Sequence, residues 1–349
     1  MKHQLSTSIK EIQEDVAISV IVPIYKTPQK FFEACLESLT CQTLKNVEFI
    51  MIFDGADEKL EKLCIRFQEK DKRFKIYKQK QSGVSTARNL GILNSNGNYI
   101  TFVDADDLLY SKDTLEVSYQ KTQLFNNDII LFDWIFGEKT VKKLWDKDVN
   151  TISIKDRDYY LKQCIHIQNP AFSGAPWAKF FKRNFIIENK IFFSDKCTIG
   201  QDRVFNYKAI SLTNKISYIS LIFYKYIINA ESATQRFRPN YLETGLYYVE
   251  ELENLSEGKY SSFIGRETLT LFYQSWDRDY MNPQNKKNLF LRMKELAREA
   301  SSKRFQSLIK YVDTKGCSLL FKTETFLLQH KITFWIYIHG FKRLFGAKK

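Results

Sequence analysis

Chemistry-bearing residues are concentrated in Tyr99-Ile100-Thr101-Phe102-Val103-Asp104-Ala105-Asp106-Asp107, where a run of β-forming side chains ends in Asp104, Asp106 and Asp107. A buried strand gains stability from Ile100, Phe102 and Val103. Neighbouring acids repel one another unless something positive sits among them. A divalent cation held by oxygen ligands and bridging to a phosphorylated substrate explains the cluster economically. The competing reading is a solvated acidic turn that caps the next helix. The flanking sequence favours the cation.

Such a cluster needs elements that hold it at a strand end. Val16–Tyr25 (VAISVIVPIY) is hydrophobic almost throughout, which suits a parallel strand buried on both faces. Thr27-Pro28 reads as N-cap and first helical position, and Phe32, Cys35, Leu36 and Leu39 follow at helical spacing. Val47–Phe53 predicts a second strand, stopped by Asp54-Gly55. Leu60, Leu63, Cys64 and Phe67 predict a second helix, and Phe74–Tyr77 a third strand. The loop Gln81-Ser82-Gly83 opens a helix that carries Arg88 early, a geometry suited to an anion. Asn96-Gly97 turns the chain into a fourth strand ending at Asp104. This βαβαβ rhythm implies an α/β fold, a parallel sheet with helices on both faces, whose ligands bind beyond the carboxyl ends of the strands. Tyr25, Asp54 and Asp104–Asp107 all follow strand ends.

The 349 residues suffice for two domains, and 44% hydrophobic content supplies a substantial core. Lys and Arg exceed Asp and Glu by 53 to 40, a formal charge of +13 that favours an anionic partner. Neither Gly-x-Gly-x-x-Gly nor a Walker-type Gly-Lys-Ser/Thr occurs, so a metal on the acids would have to neutralise phosphate instead. The six cysteines form no Cys-x-x-Cys pair, which argues for scattered thiols in a reducing compartment and against zinc. A polar, acid-containing N-terminus and no apolar run of about 20 residues place the protein in the cytoplasm.

The segments VIVPIY, FDGADE, SGVSTARNLGI and GNYITFVDADD, in this order and spacing over roughly residues 16–110, resemble the nucleotide-binding half of the family 2 glycosyltransferases. A weaker resemblance continues in Ala175-Pro176-Trp177-Ala178-Lys179 and in Gly200-Gln201-Asp202-Arg203-Val204-Phe205-Asn206. The resemblance implies a GT-A (Rossmann-like) nucleotide-diphospho-sugar transferase domain over residues 1–235. Its nucleotide-binding part covers about 16–110 and its acceptor part about 111–235, with a mainly helical C-terminal extension over 236–349. It also implies a UDP-sugar donor, a divalent metal (Mn2+ or Mg2+) and a glycan or lipid-linked glycan acceptor. By the same resemblance, Asp54 contacts the uracil, Pro23 and Tyr25 line the base pocket, and Arg88 lies near the nucleotide and donor sugar. Asp104 approaches the ribose, Ala105 belongs to the donor-nucleotide site, Asp106 binds metal with Asp104, and Asp202 is the catalytic base. Gln201 replaces the usual Glu, which implies a lower pKa for Asp202 than in relatives that keep the acid and bears on acceptor choice. Ala56 replaces a usual Ser after Asp54-Gly55.

Glycosyl transfer needs a cation for the leaving diphosphate, a base for the acceptor hydroxyl, and alignment of donor with acceptor. One base acting by direct displacement inverts the anomeric carbon. Asp202 has a second reading as N-cap of the helix beginning at Arg203. Trp177 reads equally as a sugar platform or a core tryptophan. Lys179 reads as a phosphate contact or a solvated charge. The histidines show no metal-ligand pattern.

Two other functions fit parts of the sequence. A sugar-nucleotide nucleotidyltransferase would need glycine and a basic residue after the first strand, and Val22-Pro23-Ile24-Tyr25-Lys26 has no glycine. A nucleic-acid-binding protein would suit the charge, but no motif supports it and the acids would repel phosphate. Beyond residue 240, Leu242, Leu246 and Val249, then Leu289, Met293 and Leu296, repeat at helical intervals. In Lys331–Lys349, a stripe of Phe334, Ile338, Phe341 and Phe345 among lysines and arginines predicts a basic amphipathic helix able to lie on an anionic membrane. Packing of that helix on the protein's own core is the alternative.

Overall fold

The computed structural model describes residues 16–338 apart from 139, 170, 173 and 229–236. The β-branched runs form the strands β1 (Ile18–Ile24), β2 (Val47–Asp54), β3 (Phe74–Gln79) and β4 (Tyr99–Phe102), paired in parallel in the order β3-β2-β1-β4. Alternate side chains along them enter different cores. Val20, Val22, Phe49, Met51 and Phe53 pack with the helices α1 (Gln29–Thr40) and α2 (Glu58–Lys70). Ile21, Ile50, Ile52 and Phe102 pack against the other face, where α3 (Val84–Leu93) contributes Ala87 and Ile92. Burial on both faces explains why these strands read as continuous apolar runs. The helix α1 begins one residue later than expected: Pro28 is its N-cap, with its carbonyl accepting from Phe31 and Phe32 N–H.

Two glycines permit the close approach of α3 and the β3–β4 return to β1. A Cβ at Gly91 would fall 2.3 Å from Ile21 Cγ2, and one at Gly97 would fall 2.4 Å from the Ser19 nitrogen. After β4 and the short β5 (Leu108–Leu109), α4 (Thr114–Thr122) leads to β6 (Ile129–Phe136), and β7 (Thr140–Lys142) lies beside it. Then come α5 (Ile154–Ile165), β8 (Lys179–Lys182), α6 (Arg183–Glu188), α7 (Gln201–Ser211) and β9 (Ile216–Tyr226). Strand β8 runs antiparallel between β4 and β6, so the sheet is mixed beyond its parallel half.

The C-terminal helices are α8 (Tyr241–Ser256), α9 (Ser261–Ser275), α10 (Leu289–Ser301), α11 (Lys303–Ile309) and α12 (Leu319–Gln329), and a π-helical turn, Trp276–Tyr280, continues α9. Their apolar stripes do not make a separate core. Leu242, Leu246, Leu269, Met293 and Leu296 join the same buried cluster as Ile21 and Phe102 of the sheet. The boundary expected at residues 235 and 236 lies outside the described residues. In the tail, Ile336 is buried in that cluster while Phe334 and Ile338 point outward, 71% and 41% exposed; Phe341 and Phe345 lie outside the described residues. No helix among the described residues is long and apolar enough to cross a membrane.

Candidate active site

A cleft of about 960 Å³ opens beyond the carboxyl ends of β1, β2 and β4, where the strand order turns back across β1. Pro23 and Tyr25 reach it from the end of β1, Asp54 from the last position of β2, and Asp104 to Asp107 from the turn after β4.

Asp54 anchors the loop that opens α3. Its Oδ1 accepts from the Ser82 N–H at 2.7 Å and the Gln79 amide at 2.9 Å, and its Oδ2 accepts from the Gly83 N–H at 2.9 Å. Gly83 sits at φ 96°, a conformation natural to glycine, and serves as the N-cap of α3. Tyr25 stays 43% exposed, its hydroxyl accepting from Gln81 at 2.8 Å.

Five residues into α3, the Arg88 guanidinium is buried at the centre of the cleft floor. Its Nη2 donates to Asp104 Oδ1 at 2.9 Å and its Nη1 to Asp202 Oδ1 at 2.5 Å. One guanidinium thus holds together two carboxylates that lie far apart in the chain. Phe193 lies beneath it, 5.2 Å from the guanidinium carbon to the ring centre. Burial works against the charge of Arg88, but Asp202 and Asp104 outweigh it and its pKa is raised. For Asp202 the order is reversed: burial, the largest influence, raises its pKa, Arg88 pulls it down, Asp104 pushes it up, and the net shift is upward. The capping reading of Asp202 does not hold, because Gly200 is the N-cap of α7 and no side chain caps that helix.

The three acids after β4 separate into two roles. Asp107 is 2% exposed, and its oxygens accept from the Ile227 N–H and the Tyr224 hydroxyl, both at 2.7 Å. Burial first, and then the Asp104 charge, push its pKa up to about 8. Asp104 and Asp106 line the open cleft. Among the described residues no group of three or more His, Cys, Asp or Glu is arranged to hold a metal. Two cleft-lining carboxylates do fit a hard cation that completes its coordination with water and phosphate oxygens.

Trp177 is a core residue that also borders the cleft. It is 6% exposed, stacks on Tyr224 at 4.5 Å and 3°, and meets Trp134 edge-on at 5.0 Å. One ring face is therefore taken. Lys179 corrects both sequence expectations: it is neither solvated nor in the cleft. It is 3% exposed, donates to the carbonyls of Ala175 (2.8 Å) and Trp177 (3.4 Å), and burial pushes its pKa down to about 8. Gln201 borders the cleft with its Oε1 buried and without a hydrogen-bond partner.

The far wall of the cleft comes from α8, α9 and the π-helical turn, which the sequence reading left without chemistry. There Arg203 meets Glu267 at 2.6 Å, with Tyr248 and His166 completing a buried network. A signal for Glu267 existed. It shares a stripe with Ile264, Thr268 and Leu271, and a lone acid on a buried helical face needs a buried partner.

A mixed, doubly covered sheet with a carboxylate-lined cleft at its switch point defines a nucleotide-diphospho-sugar transferase fold of the GT-A type. Residues 19–205 match the family model described as Glycosyl transferase family 2. That is more than half of the chain, which therefore belongs to that family and is a glycosyltransferase. EpsH of Bacillus subtilis (strain 168), named as a glycosyltransferase, is 27% identical over 243 residues, covering 68% of each protein. Glycosyltransferase GlyA of Streptococcus pneumoniae serotype 4 is 30% identical over 234 residues, 63% of this chain but only 32% of GlyA. The chain thus spans about a third of that relative's length. S. aureus TarS 1-349 in complex with UDP-GlcNAc superimposes with a TM-score of 0.63 at 16% identity, covering 95% of this chain and 92% of that one.

Proposed function

We propose that the protein transfers a sugar from a UDP-sugar to a hydroxyl of a growing surface glycan or lipid-linked glycan by a single, inverting displacement. The observation that carries this reading is the double bridge of Arg88 to Asp104 and Asp202, which gathers a donor-side and an acceptor-side carboxylate in one cleft. A UDP-sugar donor is supported by TarS, a neighbour in fold solved with UDP-GlcNAc.

In this reading Pro23, Tyr25 and Asp54 receive the uracil, Asp54 using the acceptor capacity left after its three bonds. Asp104 lies along the ribose, with Ala105 beside it in the nucleotide site. Asp104 and Asp106 would hold Mn2+ or Mg2+, which supplies charge neutralisation to the departing diphosphate when bound. Asp202 keeps Oδ1 on Arg88 and takes the acceptor proton at Oδ2. Its raised pKa makes it a stronger base than an ordinary carboxylate, and Arg88 holds that rise in check. Arg88 also stops the two carboxylates repelling each other apart, so the base is held ready before the acceptor arrives.

The deciding experiment compares Asp202→Asn with the parent. Turnover should vanish while calorimetric UDP binding persists, and near-normal transfer by the variant excludes Asp202 as base. A hydrolysis screen of UDP-glucose, UDP-galactose and their N-acetyl forms identifies the sugar. The outward Phe334 and Ile338 support the membrane-surface reading of 331–349. Deleting that segment should release the protein from anionic liposomes, and unchanged co-sedimentation rejects the anchor.

A further inference from the structure

We infer that Glu267, acting through Arg203, is a positioning residue for the base Asp202, so that the C-terminal helices complete the catalytic centre rather than merely cover it. The inference rests on the reading of Asp202 given above. Asp202 and Arg203 are consecutive residues of the first turn of α7, and their side chains leave the helix about 100° apart. Asp202 turns to Arg88. Arg203 turns away to α5 and the C-terminal helices, where all three nitrogens of its guanidinium donate. Its Nε donates to the Cys164 carbonyl at 3.0 Å and its Nη2 to the Ile165 carbonyl. Its Nη1 donates to Glu267 Oε1 at 2.6 Å and to the Tyr248 hydroxyl at 3.1 Å.

Glu267 is in turn fixed from several sides. The Tyr248 hydroxyl donates to its Oε1 at 2.5 Å and His166 Nδ1 lies 2.9 Å from its Oε2. It is 3% exposed, and although burial opposes its charge, Arg203 and these hydrogen bonds bring its pKa down to about 2. The carboxylate is thus ionised and compensates Arg203 fully. The backbone before Asp202 is held by the same residues. Gly200 adopts φ 71°, and a Cβ there would fall 2.4 Å from the Tyr248 ring. Residues 200–203 therefore rest on α8 and are tied to α9.

Two consequences follow for Asp202. Its backbone position is set by a rigid clamp rather than by a side-chain cap, which α7 lacks. The second guanidinium beside it is also occupied elsewhere. If Glu267 lost its charge, Arg203 would keep only its neutral partners, and Asp202 would offer it a competing carboxylate. Buried ion pairs are poor stabilisers overall, and their best-attested use is to fix one arrangement among several. Both Tyr248 and Glu267 lie beyond residues 19–205, the part that matches the family. The acidic and phenolic half of the clamp thus comes from the C-terminal helices, and its Arg203 half from the matched part.

The test uses Glu267→Gln, which keeps the size and an acceptor oxygen but removes the charge, with Arg203→Lys as a second variant. Both are assayed for hydrolysis of whichever of the four UDP-sugars in the screen turns over fastest. The expected result is a fall in kcat on the order of 10- to 100-fold, the scale of a misplaced catalytic group. Donor KM and the calorimetric Kd for UDP should stay within about twofold, because the clamp touches no donor-side residue. The two variants should not multiply when combined, since they remove one interaction. A kcat within twofold of the parent in a folded Glu267→Gln overturns the inference, as does a loss confined to UDP affinity or a multiplied loss in the double variant. If Asp202→Asn itself keeps turnover, the base assignment falls instead, so the two failures are told apart.

Discussion

Replacing Arg88 by Met tests the centre of the site most directly. The substitution keeps an unbranched apolar stem in α3 but deletes the charge between Asp104 and Asp202. Breaking a buried pair by removing one partner costs about 3 to 5 kcal/mol. The Arg88 side chain is only 4% exposed, but Asp104 and Asp202 are 31% and 26% exposed, so water recovers part of the loss. We therefore expect the low end, about 3 kcal/mol. Expressed at Asp202 alone, that energy corresponds to roughly two pKa units upward. The sign follows from linkage. A carboxyl whose folded pKa lies above its unfolded value binds its proton more tightly when folded, so stability falls as pH rises from the unfolded pKa through the folded one. Arg88 restrains this effect in the parent, where Asp202 is already raised by burial. Urea unfolding at pH 5 and pH 8 should then show the variant losing more stability at pH 8 than at pH 5, relative to the parent. The acidic limb of its rate profile should move to higher pH. Arg88→Lys should recover only part of either effect, since a point charge cannot bridge two carboxylates as a planar fork does. A variant whose stability gap is the same at both pH values, with an unmoved acidic limb, refutes the electrostatic account of Arg88.

Other residues give separate tests. Asp106→Ala should lose Mn2+-dependent UDP binding while its melting temperature stays near the parent's, because Asp106 sits after the buried strand rather than within it; retained Mn2+ dependence rejects it as a ligand. Lys179 is buried with a pKa near 8 against an ordinary 10.5, so its folding penalty should shrink by about 3 kcal/mol between pH 8 and pH 10.5. The stability of the parent relative to Lys179→Met should thus improve over that window, and a flat difference in urea midpoints argues against the burial account. Gly200→Ala combines a left-handed backbone with a collision on Tyr248 and should destabilise by about 3 kcal/mol, read as a lower urea midpoint. A neutral result would mean that the clamp at α7 yields easily.

How much was legible in the sequence follows from how local each feature is. The strands β1, β2 and β4, the loop at Gly83 and the turn at Asn96-Gly97 are set by β-branched runs, glycine conformations and helical spacing, all of which act between near neighbours. A strand end followed by acids was enough to mark the rim of a cleft. By contrast, the sequence placed Lys179 in solvent or on phosphate, because nothing in its neighbours says that the Ala175 and Trp177 carbonyls turn inward to receive it. It could not divide Asp104, Asp106 and Asp107 either. Asp107 is tied down at the cleft edge because Tyr224 and Ile227, over a hundred residues away, reach it.

The amino-acid order alone therefore determined the βαβ frame, the strand-end acids and the anion-suited start of α3, since periodicity and turn chemistry are short-range. Only the folded chain decided that Asp202 joins Asp104 through Arg88, and that α8 and α9 close the cleft with Tyr248 and Glu267. Those are charge pairings across long stretches of chain. They exist because burying a guanidinium or a carboxylate is tolerable only where packing brings its opposite within hydrogen-bonding reach, and no local pattern encodes that meeting.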